Sequence, residues 1–390
     1  MNKRVASRPV AGFLGSGFAV AGLLGVGLSV LLGGCDGERP PESNEGLIRE
    51  ELGTFTTDSG LGADVPFEVP TDAYSAQITC GPYGYDVLAT AESILDPDGA
   101  AIYDFNDNQG TAMRVATTDD LLPVLFPVSP DLDVDSGFYA MRVSLGVEEP
   151  TTITCNALYR VQEPEAGQAI DIHFVFVGVD SEVPGLNGVE AVDSEVLNTT
   201  LDRVSELWAD LGLSVGVVTY EDFAGDVATY NSVDGAVEFG SLLRSSTSDD
   251  RAITVFMVSA ITDDDGAPVL GKAAAPGAAA TGGTSKSGAV VTVGALAGSP
   301  ADTDSEARLI AHEVGHFMGL YHPTEKDGSG HDPLSDTPEC TSDNDGNGVY
   351  SASECLGQGA DYLMWWASSE SAVEASADQA WVVQRSALPQ

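Results

Sequence analysis

His312-Glu313-Val314-Gly315-His316-Phe317-Met318-Gly319-Leu320-Tyr321-His322 sets three imidazoles and one carboxylate at a spacing that can hold a divalent metal ion. The spacing predicts a helix through the first half, because His312 and His316 stand one turn apart and project from a common face. Gly319 can take a positive φ at the helix end, so the chain turns sharply and His322 returns as a third ligand. Three imidazoles on a zinc ion leave a fourth position open for water, as a catalytic site requires. Glu313 stands beside the ligands without needing to bind. A carboxylate there can take a proton from a water whose pKa zinc lowers, which makes Glu313 the expected general base. A bare HExxH arises by accident on surface helices. Adding Gly319 and His322 makes accident a poor explanation, and three of the five histidines of the chain fall in this stretch.

Every fixed position of H-E-x-x-H-x-x-G-x-x-H is met, and the stretch resembles the signature of the metzincin zinc endopeptidases. Downstream, Asp336-Thr337-Pro338-Glu339-Cys340 is similar to the Asp-Thr-Pro segment that follows the zinc helix in the pappalysin (cytophagalysin-like) branch. Met364, in Asp361-Tyr362-Leu363-Met364-Trp365-Trp366, looks like the methionine of the family's Met-turn, which lies beneath the metal; without the upstream motif it would read equally as core. The resemblance implies an α/β (α+β) catalytic domain with a mixed sheet and an active-site helix. It also implies a catalytic zinc ion on His312, His316 and His322, an edge strand that aligns an extended substrate, and hydrolysis of protein or peptide bonds. The chain departs from that branch at Trp366, which stands where a tyrosine usually follows two residues after the methionine. The transition-state hydrogen bond of that tyrosine is therefore not carried over, although Tyr362 is near in the sequence.

Composition sets the frame. The 390 residues, 43% hydrophobic, can bury two ordinary cores, and the formal net charge of -44 comes from 60 acidic against 16 basic residues. Such a chain is repelled by nucleic acid and by anionic lipid headgroups; protein or peptide substrates are the partners that the resemblance implies. Nothing in the sequence speaks to oligomeric state.

The amino terminus points outward. Lys3, Arg4 and Arg8 precede an uncharged apolar run over residues 10–32 that ends in Leu32-Gly33-Gly34-Cys35. Small residues before a cysteine resemble a bacterial lipobox, with residues 1–35 as signal peptide and Cys35 as the acylated first residue of the mature chain. A persistent transmembrane anchor is the alternative. Both readings place the remainder outside the cytoplasm, as a membrane-anchored lipoprotein at the cell surface or in the periplasm. Four further cysteines suit two disulfides in an oxidising compartment. Three pairings are open, and proximity favours Cys80 with Cys155 and Cys340 with Cys355. A cysteine switch at Cys80 would strand Cys155.

Polar residues 36–50 read as a flexible tether. Residues 51–163 carry short apolar runs broken by Gly, Pro, Asp and Asn, which predicts an all-β sandwich domain. After a polar joint, residues 168–390 alternate strands and helices, as the zinc metallopeptidase domain. Strands are expected over 171–177, 214–220 and 253–258, a helix over 192–211, a loop over 271–288, an edge-like strand over 289–293 and the zinc helix over about 304–319. His173 reads as a core or surface histidine, and His331 and Asp332 as parts of an exposed loop.

Residues 343–354 fit a twelve-residue calcium loop at all fixed positions. Oxygen ligands would come from Asp343, Asp345, Asn347, the Val349 carbonyl, Ser351 and Glu354, with Gly348 making the sharp turn. Pro338 and Gly357 argue against flanking helices, and the ion would be structural. These features together lead to an exported zinc endopeptidase with a structural calcium ion. The competing expectation is a surface-binding lipoprotein whose zinc domain is inert or structural, and a third is a zinc hydrolase acting on a non-protein amide.

Overall fold

Frequent turns cut the first third of the chain into short runs, and in the computed structural model these runs pair into two antiparallel sheets. Residues 46–57, 62–247, 251–278 and 282–390 are described by the structure; the apolar leader and Cys35 lie outside the described residues. In chain order the strands are β1 (Leu47–Thr56), β2 (Ala63–Val69), β3 (Ser75–Gly81), β4 (Leu88–Leu95), β5 (Ala101–Asp104), β6 (Thr118–Asp119), β7 (Leu122–Phe126), β8 (Gly137–Leu145) and β9 (Thr152–Arg160). One sheet runs β1-β9-β3-β7 and the other β2-β8-β4-β5, with β6 paired to β4. Along β2, Ala63, Val65, Phe67 and Val69 are buried while Asp64, Pro66 and Glu68 are exposed, the period-two pattern of a strand with one face on a core. Phe67 and Phe126 meet Tyr139, each with ring centroids 5.4 Å from it, in the middle of a core fed by both sheets. Cys80 opposes Cys155 across β3 and β9 and is bonded to it, so Cys80 is not free to act as a switch.

The tether is shorter than the sequence suggests, because β1 begins at Leu47, inside residues 36–50. Ile48-Arg49-Glu50-Glu51 looks like linker by composition, yet its backbone pairs with β9 in the register Leu47 to Arg160. The charged side chains face solvent on an edge strand, where charge is compatible with pairing.

The second part is a five-stranded mixed sheet. β10 (Gln168–Phe176) runs parallel to β11 (Leu213–Asp222) on one side and β13 (Ala252–Val258) on the other; β12 (Ser232–Asp234), β14 (Ala260–Thr262) and β15 (Pro268–Val269) make a small separate sheet. β17 (Ala289–Thr292) adds in parallel to β13, and β16 (Gly271–Ala273) closes the order β11-β10-β13-β17-β16 as an antiparallel edge. The edge is therefore β16, which lies within the stretch expected to be a loop, and not residues 289–293. β17 is buried from end to end because neighbours flank it on both sides, whereas Gly-Lys-Ala is too short to show a period.

Helix α1 (Glu195–Ala209) starts at Ser194, whose side chain accepts from the Leu197 N–H. It buries Leu197, Leu201, Val204 and Trp208, one stripe at helical spacing. Short helices α2 (Val227–Tyr230) and α3 (Gly235–Leu243) precede α4 (Thr303–Phe317), which packs beside α1, and α5 (Ala377–Val383) lies near the carboxyl end. Both parts belong to one unit. Buried Arg160, from β9, donates to the carbonyls of Ser386 and Pro389 at 2.6 and 2.9 Å, and Gln390 exchanges backbone hydrogen bonds with Ala169 at the start of β10. No helix among the described residues is long and apolar enough to cross a membrane.

Candidate metal centre

Helix α4 opens at Asp302, whose carboxylate accepts from the Ser305 N–H at 2.9 Å, with Asp304 in the first turn, the end where the helix dipole favours negative charge. It closes in a Schellman motif. The Gly319 N–H donates to the His316 carbonyl at 2.8 Å and the Leu320 N–H to the Gly315 carbonyl at 3.0 Å, with Gly319 at φ +107. That reversal brings His322 back over the helix, and its ring centroid lies 4.6 Å from that of His316 and 5.4 Å from that of His312. One ring nitrogen from each of the three lies within 4.8 Å of the others.

The outer nitrogens decide what the inner ones present. His312 Nδ1 is 2.8 Å from the Leu363 carbonyl, His316 Nδ1 is 2.8 Å from the Leu320 carbonyl, and His322 Nδ1 is 2.9 Å from Glu325 Oε2. Carbonyl and carboxylate oxygens only accept, so each Nδ1 carries a proton, and in its neutral form each ring presents an Nε2 lone pair inward. His316 Nε2 and His322 Nε2 face each other at 3.0 Å. Two lone pairs at that distance repel unless a cation lies between them, and neutral imidazoles are the ligand form that zinc takes. Burial drives His312 down to about 3, helped by neighbouring His322, and drives His316 well below its ordinary value, so those two rings stay neutral. The donor set fits zinc.

Glu313 lies beside this cluster, nine-tenths buried. Burial pushes its carboxyl up to about 8, against which the Ala273 N–H and the charge of Lys272 pull back. A divalent cation among the imidazoles would favour the ionised form further. Gly271, at the start of β16, has no side chain because a Cβ there would fall 2.7 Å from Glu313 Oε1. The edge strand thereby passes directly over the carboxylate. Met364 is fully buried under α4, where a Cβ on Gly315 would meet its sulfur at 2.6 Å.

Two adjoining hollows open onto the centre. One, of about 280 Å³, is lined by the three histidines, Glu313, Lys272 and Trp366. The other, of about 440 Å³, shares His312, Glu313 and Trp366 and extends along Leu270, Leu309 and Arg308. Trp366 spends its indole N–H on the Tyr350 carbonyl at 2.8 Å, so it does not replace a tyrosine hydroxyl as a donor. Tyr362 points its hydroxyl toward the Asp336 carbonyl and lines neither hollow.

Other expected residues fall elsewhere. His173 sits in the sheet between Thr219 and Glu221, apart from the histidine cluster. Asp332 is buried rather than exposed, because Thr337 Oγ1 donates to it at 2.6 Å and the Leu334 N–H at 3.1 Å; burial raises its carboxyl to about 7. Asp336 accepts from the Asp378 N–H and so holds the start of α5, not the metal centre. Cys340 and Cys355 are bonded around the acidic loop, in which Asp343, Asp345 and Glu354 bring carboxylate oxygens within 4.8 Å of one another. There the Gly348 N–H donates to Asp343 at 2.9 Å, and Ser351 Oγ donates to Glu354 at 2.6 Å. Asn347 accepts from the Val349 N–H at 2.7 Å. Glu325 escaped the sequence reading, although its position three residues after His322 was a usable sign; the carbonyls of Leu320 and Leu363 leave no sign in side-chain identity.

Residues 194–323 match the profile of the reprolysin-like metallopeptidases of family M12B, a span that runs from the cap of α1 past all three histidines. The match supports a metallopeptidase, and zinc as its metal. No curated protein matches the chain. Among solved structures, the GH26-CBM35 beta-(1,4)-mannanase of Podospora anserina overlaps at 12% identity and a TM-score of 0.18, over 55% of this chain and 43% of that one. A family two carbohydrate esterase from Cellvibrio japonicus overlaps at 9% identity and a TM-score of 0.17, over 56% of this chain and 78% of the other. The chain thus spans less than half of the mannanase, and overlaps this slight say nothing about its chemistry.

Proposed function

We propose that this protein is a zinc endopeptidase of the metzincin type, close to the pappalysin branch, that hydrolyses protein or peptide bonds. The observation that carries the reading is the set of three Nδ1 protons committed to outside acceptors, with three Nε2 lone pairs converging beside Glu313 in an open cleft. His312, His316 and His322 would hold the ion. Zinc, when bound, supplies Lewis-acid polarisation of the scissile carbonyl and a lowered pKa for water. Glu313 receives the proton of the attacking water and passes it to the departing nitrogen. β16 offers its free edge to an extended substrate, and Met364 supports the helix from below. On this reading residues 51–163 are a β-sandwich module.

The acidic loop is proposed to hold a structural calcium ion through Asp343, Asp345, Asn347, Val349, Ser351 and Glu354. The chain is proposed to be an exported lipoprotein anchored through Cys35. Hydrolysis of denatured protein by the zinc-loaded soluble part, with and without a chelator, tests the main reading beside Glu313→Ala. The chelator should abolish cleavage, and the alanine variant should keep its zinc and lose at least about 100-fold in rate. Cleavage that ignores the chelator, or full activity in the variant, refutes the mechanism; zinc retention without any cleavage refutes the peptidase.

A further inference from the structure

We infer that the larger hollow beside Glu313 is a substrate subsite for an acidic side chain, read by Arg308 with Lys326 at its rim. The inference rests on the peptidase reading and names the substrate class of the same site. In a chain with 60 acidic and 16 basic residues, a cation without an oxygen partner is unexpected. Arg142, Arg203, Arg244, Lys272 and Lys286 are each paired with a carboxylate. Arg114, Arg160, Arg251 and Arg385 donate to backbone carbonyls. Arg308 and Lys326 differ: among the described residues neither has an oxygen partner, and both line the same hollow. Arg308 Nε is buried without an acceptor, and Lys326 meets only the face of Trp366, 5.8 Å from the ring centre.

Position supports the same conclusion. Arg308 lies four residues before His312 on α4, hence on the same face and about 6 Å along the axis. A side chain reaching it belongs to a residue flanking the scissile bond. The walls between are largely apolar, contributed by Val269, Leu270, Leu309, Leu363 and Trp365, and a guanidinium-carboxylate pair gains strength beside such a surface relative to open water. Besides Glu313, two carboxylates share the hollow, but Asp263 is engaged by Lys272 at 3.0 Å and Asp265 by the Ala267 N–H at 3.0 Å. The stem of a glutamate fits the apolar walls, and its head meets the one guanidinium there that has no counter-charge.

Matched peptides carrying Glu, Gln or Lys at each position around a cleavage site provide the test, through kcat/KM with the zinc-loaded protein and through titration binding to its Glu313→Gln variant. Glu is expected to exceed Gln about tenfold or more at one flanking position. Arg308→Gln should bring that ratio to about one, Arg308→Glu should turn the preference toward Lys, and Lys326→Gln, on the exposed rim, should lower the ratio without abolishing it. Equal handling of Glu and Gln by the unaltered protein, or a preference that survives Arg308→Gln, overturns the subsite while leaving the peptidase intact. If no peptide is cleaved, binding still decides: Arg308-dependent preference for Glu upholds the subsite and refutes the peptidase, and absent or equal binding overturns the subsite.

Discussion

Gln77 on β3 donates through its side-chain amide to the carbonyl of Gly277 at 2.9 Å, and to that of Ala278 at 2.6 Å, joining the first sheet to the loop that lies over the metal helix. The Gly277 N–H in turn donates to the His316 carbonyl at 3.0 Å. Leu125, the cross-strand partner of Gln77, occupies the space left by Gly277 and Gly319 together; a Cβ at either would lie 2.5 or 2.7 Å from it. The amino-terminal sheets thus brace the loop and the helix end behind the centre.

Leu125→Ala is expected to destabilise the whole unit by about 2–5 kcal/mol through the cavity it leaves. Gln77→Ala should cost about 1–3 kcal/mol by stranding two buried carbonyls. Chemical denaturation measures both. Each variant should also lose activity at temperatures where it remains folded, since the loop that holds the end of α4 loosens. Full activity in a folded Gln77→Ala variant would show that the brace is irrelevant to the centre.

Glu325 fixes the ring of His322 from outside, so Glu325→Ala should lower zinc affinity by about 10–100-fold, with Glu325→Gln falling between. Competition against a chromophoric chelator reads this directly. Unchanged affinity in the alanine variant would mean that the backbone turn alone orients the ring.

Glu306 is fully buried on α4 with neither carboxylate oxygen hydrogen-bonded among the described residues, and burial, reinforced by Asp302, pushes it from 4.5 up to about 8. A folded pKa above the unfolded one means that the native state holds the extra proton between those values, so its contribution to stability falls as pH rises from about 4.5 to about 8. Glu306→Gln should therefore gain on the unaltered protein at pH 8 relative to pH 5. Denaturation midpoints of the zinc-saturated proteins at both pH values test it, and a difference that does not change with pH would contradict it.

If the acidic loop binds calcium, Glu354→Gln should weaken calcium binding and expose residues 341–357 to proteolysis, with zinc content unchanged. Mass spectrometry of limited digests, with calcium added or withheld, is the measurement. Indifference of the digest to calcium in the unaltered protein would remove the ion from this loop.

Much of the centre was legible in the residues. The register of His312, His316 and Glu313 follows from helix periodicity, and the return of His322 follows from a glycine able to hold φ +107. Local chemistry of that kind is written in spacing, as are the alternation of β2 and the stripe of α1. The edge strand was not legible, because Gly271-Lys272-Ala273 has no pattern and becomes a strand only when β17 offers hydrogen bonds. Asp332 reads as a surface residue until Thr337 and Leu334 close over it.

Spacing along the chain by itself determined which side chains could share one ion, since neighbours within a turn or two are tied by covalent geometry. Only the tertiary structure decided the carbonyls that set the imidazole tautomers, the sheet that braces Gly277, and the two cations that have no oxygen partner among the described residues of the cleft. Apart from the Leu320 carbonyl, which lies four residues from His316, these depend on residues distant in sequence meeting in space, and on backbone atoms that every residue has in common, so side-chain identity could not announce them.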